Sequence, residues 1–472
     1  MNGISTLDSI IIVLYFIGMV SIGIFFKRKV KKTSDYYLAG RSLGFFVIMA
    51  TVCASIIGGG AMIGRGGITY SQGAVAVMLA LPYLVGMYFF SIISGRIQAI
   101  GLLYNISSIP DLMEYRFGKV SKYITATLIA FTMMATVGTQ ITATATIIKT
   151  IGGFSYELGA WIAVAIFVSY TVFSGLFGVV YTDVAQFLIL IVFMYILLPI
   201  VSLSKVGGIV TLTRTIPKEM LSLKPSIQIV GWIFTSLVFT LAGAEMWQRA
   251  FAAKNSKEAR KGMLLGTTVY AYTIIITLLI GLSAYVLLPN VVNDYGTADA
   301  AIPALVINLL PKGIIGLTTA ALLAVMMSSA DTYLLVSVQS ILRDIIKPLI
   351  PNLEDEKELL CSRVFTVLLG LGALIISLYI RQAYKALMFA WTFYASSIGL
   401  PALAALYWKK ATSQGIVSSI LVGFIVSVVW KIIGSPWGLS PSIPGSILCG
   451  LTLLTVSYST YDKNHSNAFP KV

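Results

Sequence analysis

The segment 321–345, ALLAVMMSSADTYLLVSVQSILRDI, is apolar enough to cross a bilayer, yet it carries Ser328, Ser329, Asp331 and Thr332 in its middle. A carboxylate held in hydrocarbon costs several kcal/mol unless it is paired, solvated or bound to a cation. On a helix, Val325, Ser328, Ser329 and Thr332 share one face, with Asp331 at its border. That face offers hydroxyls, a carboxylate and any carbonyl freed by local distortion. An all-oxygen set suits a hard cation such as sodium, whereas a transition metal wants His or Cys. Serine and threonine in such a helix also bond their own backbone or a neighbour. The acid beside these hydroxyls is what singles out the cluster.

Composition sets the solvent in which this segment works. The 472 residues are 57% hydrophobic and 11% charged, with mean hydropathy +0.90, against about 25% charged in soluble domains. The chain reads as an all-α polytopic membrane protein. Its one histidine, His465, and three scattered cysteines, Cys53, Cys361 and Cys449, supply neither a His/Cys metal centre nor a disulfide framework. There is no Walker loop for ATP. The net charge of +15 reads as topology rather than nucleic-acid affinity, because lysines and arginines collect in cytoplasmic loops.

Apolar stretches of about 20 residues predict thirteen spans, at 6–26, 43–68, 74–98, 123–148, 157–178, 180–203, 227–251, 262–288, 313–343, 360–380, 384–408, 413–434 and 441–459. The first is too uniform for a cleaved signal peptide, and no small-residue cleavage site precedes the KRKVKK run at 27–32, so it is expected to be retained. With the N-terminus outside, the loops 27–42, 99–122, 252–261, 344–359 and 409–412 and the tail fall inside, and they hold most of the basic residues. A multi-pass plasma-membrane protein with an external N-terminus and a cytoplasmic C-terminus is expected.

Spans two to eleven divide into two five-helix sets, 43–203 and 227–408, followed by two C-terminal helices in 413–459. An odd number per set inverts the second relative to the first, a transporter signature in which binding sites lie at the midplane beside broken helices. Both sets open on a breakable helix. The first contains ASIIGGGAMIGRGG, whose glycines each weaken a helix by up to about 1 kcal/mol relative to Ala, and the second contains TLAGAEMWQR, with Gly243 near Glu245. Close helix packing through glycine is the alternative for the first run.

Four motifs carry a resemblance: ASIIGGGAMIGRGGITYSQG at 54–73, SGLFGVVYTDVAQ at 174–186, WQRAFAAKNSKEARKG at 247–262 and SSADTYLLVSVQSILRDI at 328–345. In combination they resemble the sodium/solute symporter family, which includes sugar, proline, pantothenate, sialic-acid and monocarboxylate carriers. The resemblance implies the leucine-transporter fold, a 5+5 inverted repeat in a single transmembrane domain with one extra helix before the core. Matching motif to motif, it implies a sodium site made by carbonyls of Ala54, Ile57 and Val325 and hydroxyls of Ser328 and Ser329. Some members hold a second sodium, here implied between Asp183 and the residues Ser328, Asp331 and Thr332. Asp331 stands where the best-matching pattern has serine, so a protonated acid or a helix cap remain alternatives.

For the solute, the resemblance places Arg65 at an outer gate, where a guanidinium pairs bidentately with a carboxylate. Glu245 is positioned to hold an ammonium or to neutralise Arg65, and Tyr83, Gln140, Trp391 and Thr392 complete the candidate pocket. Arg65 and Glu245 together imply a zwitterion such as an amino acid, and Arg65 alone implies an organic anion. Arg65 reaching the surface along its aliphatic stem is the alternative.

The expected activity is sodium-coupled uptake of a small polar solute by alternating access. Proton coupling through Asp183 or Asp331, or a sugar or vitamin solute, are the rivals. An enzyme is not expected, since isolated intramembrane carboxylates do not form an acid–base or metal constellation; nor is a channel, which needs a filter repeat or a ring of subunits. Sodium, the solute and the lipid bilayer are the expected partners of a carrier working as a monomer.

Overall fold

The computed structural model describes residues 4–27, 37–350, 352 and 354–462. The basic run after Lys27 and the end of the tail, with His465, lie outside them. Among the described residues, ten helices are long and apolar enough to cross a membrane, and shorter apolar helices occupy Thr6–Ile22, Phe45–Ile56, Tyr156–Ser169 and Ala298–Leu309.

In chain order the principal helices are α1 (Thr6–Lys27), α2 (Phe45–Ile56), α3 (Arg65–Gln72), α4 (Ala76–Leu103), α5 (Ile109–Phe117), α6 (Lys119–Gly152) and α7 (Tyr156–Leu190), then α8 (Leu198–Val206), α9 (Ile227–Thr240), α10 (Ala244–Ala252), α11 (Ser256–Leu287) and α12 (Ala301–Leu309). They are followed by α13 (Ile314–Ile341), α14 (Asp355–Tyr379), α15 (Ala383–Tyr407), α16 (Ser413–Ile432) and α17 (Ser442–Thr460).

The two glycine-marked helices do break. The first set opens with α2, which stops at Ile56; the chain resumes as a π turn over Gly60–Gly64 and then α3. The second opens with α9, which stops at Thr240; Gly243 leaves helical geometry (φ −54°, ψ 106°) before α10 begins. Within α7 the chain kinks at Gly175, whose φ of 53° and ψ of −171° suit only glycine. That residue, rather than a loop near 179, separates the expected spans 157–178 and 180–203. Pro199, in the first turn of α8, cannot donate to the helical ladder, and the seven residues before Leu198 widen into a π turn.

The polar-centred segment 321–345 falls largely on α13, which stands as the central post. Every residue of α13 from Thr318 to Ser340 is buried, which explains why its apolar residues do not gather into one stripe. It packs against α6, α7, α1 and α2. Its first turn is held from outside the two five-helix sets: the carboxylate of Asp8, on α1, accepts the amides of Gly313 at 2.6 Å and Gly316 at 2.7 Å. An acid at a helix N-terminus satisfies orphan donors and meets the positive end of the helix dipole. The stretch between α11 and α13 is not an open loop. It contains α12, whose Ala301, Ile302, Ala304 and Leu305 are fully buried, although nine residues are too few to span.

Candidate ion and solute sites

The break between α2 and α3 is held open by a side chain. In an unbroken helix the Gly59 amide would donate to the Ser55 carbonyl; here it donates to Oε1 of Gln140, on α6, at 2.7 Å. The freed Ser55 carbonyl accepts from the Ser329 hydroxyl at 3.1 Å, and the Ala54 carbonyl lies 3.4 Å from the same hydroxyl. Gly58 admits this approach: a Cβ there would meet Ser329 Oγ at 2.8 Å and Gln140 Nε2 at 3.0 Å. Ile57 caps the end of α2, and Val325 lies one turn before Ser329 on α13. Ser328 turns to α7, donating to Asp183 Oδ1 at 2.5 Å. A serine whose proton is given to a carboxylate keeps its lone pairs for a cation.

The four residues expected around a second ion are not gathered on one point. Asp183 receives the hydroxyls of Thr51 and Ser328. The Asp331 carboxylate accepts from Thr171, on α7 before the kink, at 2.5 Å, and its Oδ2 is unpartnered among the described residues. Thr332 faces α2, its hydroxyl 3.2 Å from Ser55 Oγ and accepting from Arg249 at 2.6 Å. Helix spacing puts Ser328, Ser329 and Thr332 on one side of α13 with Asp331 at its border; the neighbouring helices divide them, Ser329 and Thr332 toward α2 and Ser328 and Asp331 toward α7.

Arg249, on α10, lies within the motif at 247–262. It is fully buried, with Nη2 3.7 Å from Asp183 Oδ2. It also donates to Thr51 Oγ1 at 3.1 Å, Ser55 Oγ at 2.5 Å and the Glu245 carbonyl at 3.1 Å. An arginine in an apolar run six residues past a helix break was the available signal, because such a charge is kept only when paired.

Beside the α2–α3 break lies a small cavity lined by Arg65, Tyr83, Gln140, Tyr270, Tyr384 and Trp391, among others. Its volume of about 30 Å³ is roughly the share of one water molecule, so admitting a solute requires the walls to part. Arg65 does not reach the surface. It is 3% exposed, donates to the Tyr270 hydroxyl at 3.0 Å and lies 5.6 Å from that ring's centre. Tyr83 stacks on Trp391 at 5.5 Å, and Trp391 stacks on Phe239 at 4.0 Å. Arg65 Nε and Nη2 and Trp391 Nε1 are buried without partners among the described residues. All three are donors.

Two expected pocket residues lie elsewhere. Thr392 bonds the Met388 carbonyl at 2.6 Å and lines a separate 410 Å³ cavity with Trp232, Lys385 and Lys431, since successive helical residues point about 100° apart. Glu245 is absent from the lining of the central cavity and does not pair with Arg65. Its two oxygens are buried without partners among the described residues, in the first turn of α10.

Two broken helices closing on a buried polar centre define a multi-pass membrane carrier. The family model of the sodium:solute symporter family matches residues 36–423. The osmoregulated proline transporter OpuE of Bacillus subtilis is 26% identical over 469 residues, covering 95% of this chain and 94% of that protein. The sodium/proline symporter of Escherichia coli is 25% identical, covering 96% and 93%, and sodium/glucose cotransporter 4 of Danio rerio is 24% identical, covering 95% and 74%. Among solved structures, the substrate-bound outward-open state of a Na+-coupled sialic acid symporter aligns with a TM-score of 0.84 at 17% identity, covering 96% of this chain and 98% of that one. The chain belongs to the sodium:solute symporter family. It has the leucine-transporter fold and is a sodium-coupled solute symporter rather than an enzyme.

Proposed function

We propose that this symporter takes up a small carboxylate-bearing solute, an amino acid such as proline, with sodium bound between α2 and α13. The ion's ligands are the carbonyls of Ala54, Ile57 and Val325 and the hydroxyls of Ser328 and Ser329. The helix break supports this assignment, because diverting the Gly59 amide to Gln140 leaves an α2 carbonyl facing Ser329. Five uncharged oxygens suit a monovalent ion that must be released on the far side.

The single observation behind the solute assignment is the set of unpartnered groups lining the central cavity. Arg65 Nε and Nη2 and Trp391 Nε1 are donors, so the missing partner is an acceptor, and a guanidinium favours a carboxylate. Tyr83, Tyr270 and Trp391 supply aromatic faces for the ammonium of a zwitterion. The relatives named for proline transport agree with that chemistry. A sugar would leave the guanidinium without its counter-charge.

The N-terminus lies outside and the C-terminus inside the plasma membrane, the chain works as a monomer, and 43–203 and 227–408 are inverted repeats. Sodium from outside ties α2 to α13 and completes the solute cavity; the loaded carrier then opens inward. A potential of 100 mV contributes about 2.3 kcal/mol per charge and a tenfold sodium gradient about 1.4. One ion with a zwitterion therefore has about 3.7 kcal/mol available, enough for roughly 500-fold accumulation. Uptake of labelled proline, other amino acids, carboxylates and sugars into proteoliposomes, with and without a sodium gradient, tests the assignment. Carboxylate uptake that needs sodium supports it, whereas uptake in sodium-free buffer at acid pH supports proton coupling instead.

A further inference from the structure

We propose that the 410 Å³ cavity bounded by α9, α15 and α16 binds one anionic phospholipid, with the phosphate between Lys385 and Lys431 and an acyl chain over Phe389 and Phe393. Its lining shares no residue with that of the central cavity, so it stands apart from the solute site. Lys385 lies in the first turn of α15 and Lys431 in the last turn of α16, and the short connection 408–412 makes those helices antiparallel. Both cationic side chains therefore serve one end of the bundle. Neither forms a salt bridge among the described residues. Asp299, which feels the charge of Lys385, gives a carboxylate oxygen to the Ala383 amide at 2.8 Å instead.

Beneath each lysine the helix turns apolar. On α15, Phe389 and Phe393 follow Lys385 at steps of four residues, a stripe about 12 Å long on one face. On α16, Phe424 lies two turns from Lys431 toward the middle of the helix. Phe393 links the two walls, its ring centre 5.4 Å from that of Phe389 and 6.1 Å from that of Phe424. A cationic mouth over an aromatic floor matches an amphiphile with an anionic head. A free carboxylate or phosphate would use the lysines and leave the phenylalanines idle.

The rim selects a lipid as that amphiphile. Phe389 is 40% exposed, Ile432 77% and Trp437 81%, so the cavity opens on a surface that meets acyl chains. Trp437 also packs against Trp430 at 5.9 Å, and tryptophan beside lysine at helix ends is the composition of a membrane interface. Occupancy has a route to the solute site. Trp232, on α9, lines this cavity and lies 5.2 Å, ring to ring, from Tyr384, which lines the central one. A lipid seated here therefore braces a wall of the central cavity.

Native mass spectrometry of the purified protein, titrated with phosphatidylglycerol in detergent, tests the site. One tightly retained phosphatidylglycerol per chain is expected, displaced neither by phosphatidylcholine with the same acyl chains nor by inorganic phosphate. Lys385→Gln combined with Lys431→Gln should weaken retention about 25-fold, since each basic residue near an anionic lipid surface is worth roughly fivefold. Phe389→Gln should weaken it with both charges intact. Unchanged retention by the folded lysine double variant overturns the inference, and so does displacement by inorganic phosphate or a carboxylate solute, which would mark a soluble-anion site. If the double variant does not fold, the two lipids compared on the unaltered protein decide, and equal retention overturns it. Adding phosphatidylglycerol to phosphatidylcholine proteoliposomes should raise solute uptake by the unaltered protein more than by the lysine variant; an equal rise overturns the bracing role.

Discussion

The backbone amide of Gly59 donates to the side-chain oxygen of Gln140 across 81 residues of sequence, at 2.7 Å. A side chain on α6 thus does the work of the missing helical acceptor, and the α2 carbonyl it releases is available to Ser329. Leaving a buried amide without a partner costs about 1–3 kcal/mol. Gln140→Leu should therefore weaken sodium binding by about tenfold, read as a fluorescence titration on purified protein. Unaltered affinity would separate the break from the ion.

Ser328→Ala combined with Ser329→Ala should abolish sodium-dependent uptake while membrane insertion, checked by blotting the membrane fraction, stays normal. Ser329→Ala alone removes one proposed ligand and should raise the sodium concentration for half-maximal uptake. Ser328→Ala alone also strips Asp183 of a hydrogen bond and should add a loss of thermal stability. Full sodium-driven uptake by the double variant would remove the proposed ion site.

Replacing Arg65 by Ala should raise the KM for carboxylate solutes by tenfold or more, about 1.4 kcal/mol, and leave their amide analogues little changed. Arg65→Lys keeps the charge but loses the fork, so it should recover only part of the effect. Competition of unlabelled acids and amides against labelled solute measures both. An equal loss for acids and amides would mean that Arg65 shapes the cavity without meeting the carboxylate.

Asp111 lies on α5, between membrane-spanning helices. Burial raises its pKa, but Arg343, Lys122 at 3.1 Å and the Ser107 hydroxyl together hold it below the ordinary carboxylate range. A pKa depressed by folding contributes stability that is complete above the unfolded value of about 3.9 and is lost as pH falls through the folded value. Melting temperature in detergent should thus hold steady down to about pH 4 and fall below it. Asp111→Asn should melt lower at neutral pH and show a shallower acid decline.

Breaks at Gly58–Gly60 and Gly243 were legible because glycine and an intramembrane polar residue sit together in an apolar run. Arg65 stands in the glycine-marked run and lines the cavity beside the break, although its Tyr270 partner is 205 positions away. Periodicity fixed which side of α13 carries Ser328, Ser329 and Thr332, but azimuth does not say which neighbouring helix each one meets. The resemblance groups Asp331 with Thr332, whereas their partners, Thr171 on α7 and Arg249 on α10, lie on different helices. Thr392 and Trp391 are adjacent in sequence and line different cavities. The short α12 leaves no twenty-residue apolar signature in the sequence, because a nine-residue helix is buried without crossing.

The grip of Asp8 on Gly313 and Gly316 gives α1 a mechanical task. A lever needs a fulcrum that does not yield, and a first turn clamped from a separate helix is what would let α13 serve as one for the half-helices packed against it. Loosening the clamp would let the post sway along with its load, and ion occupancy would then be spent on wobble instead of on directed opening.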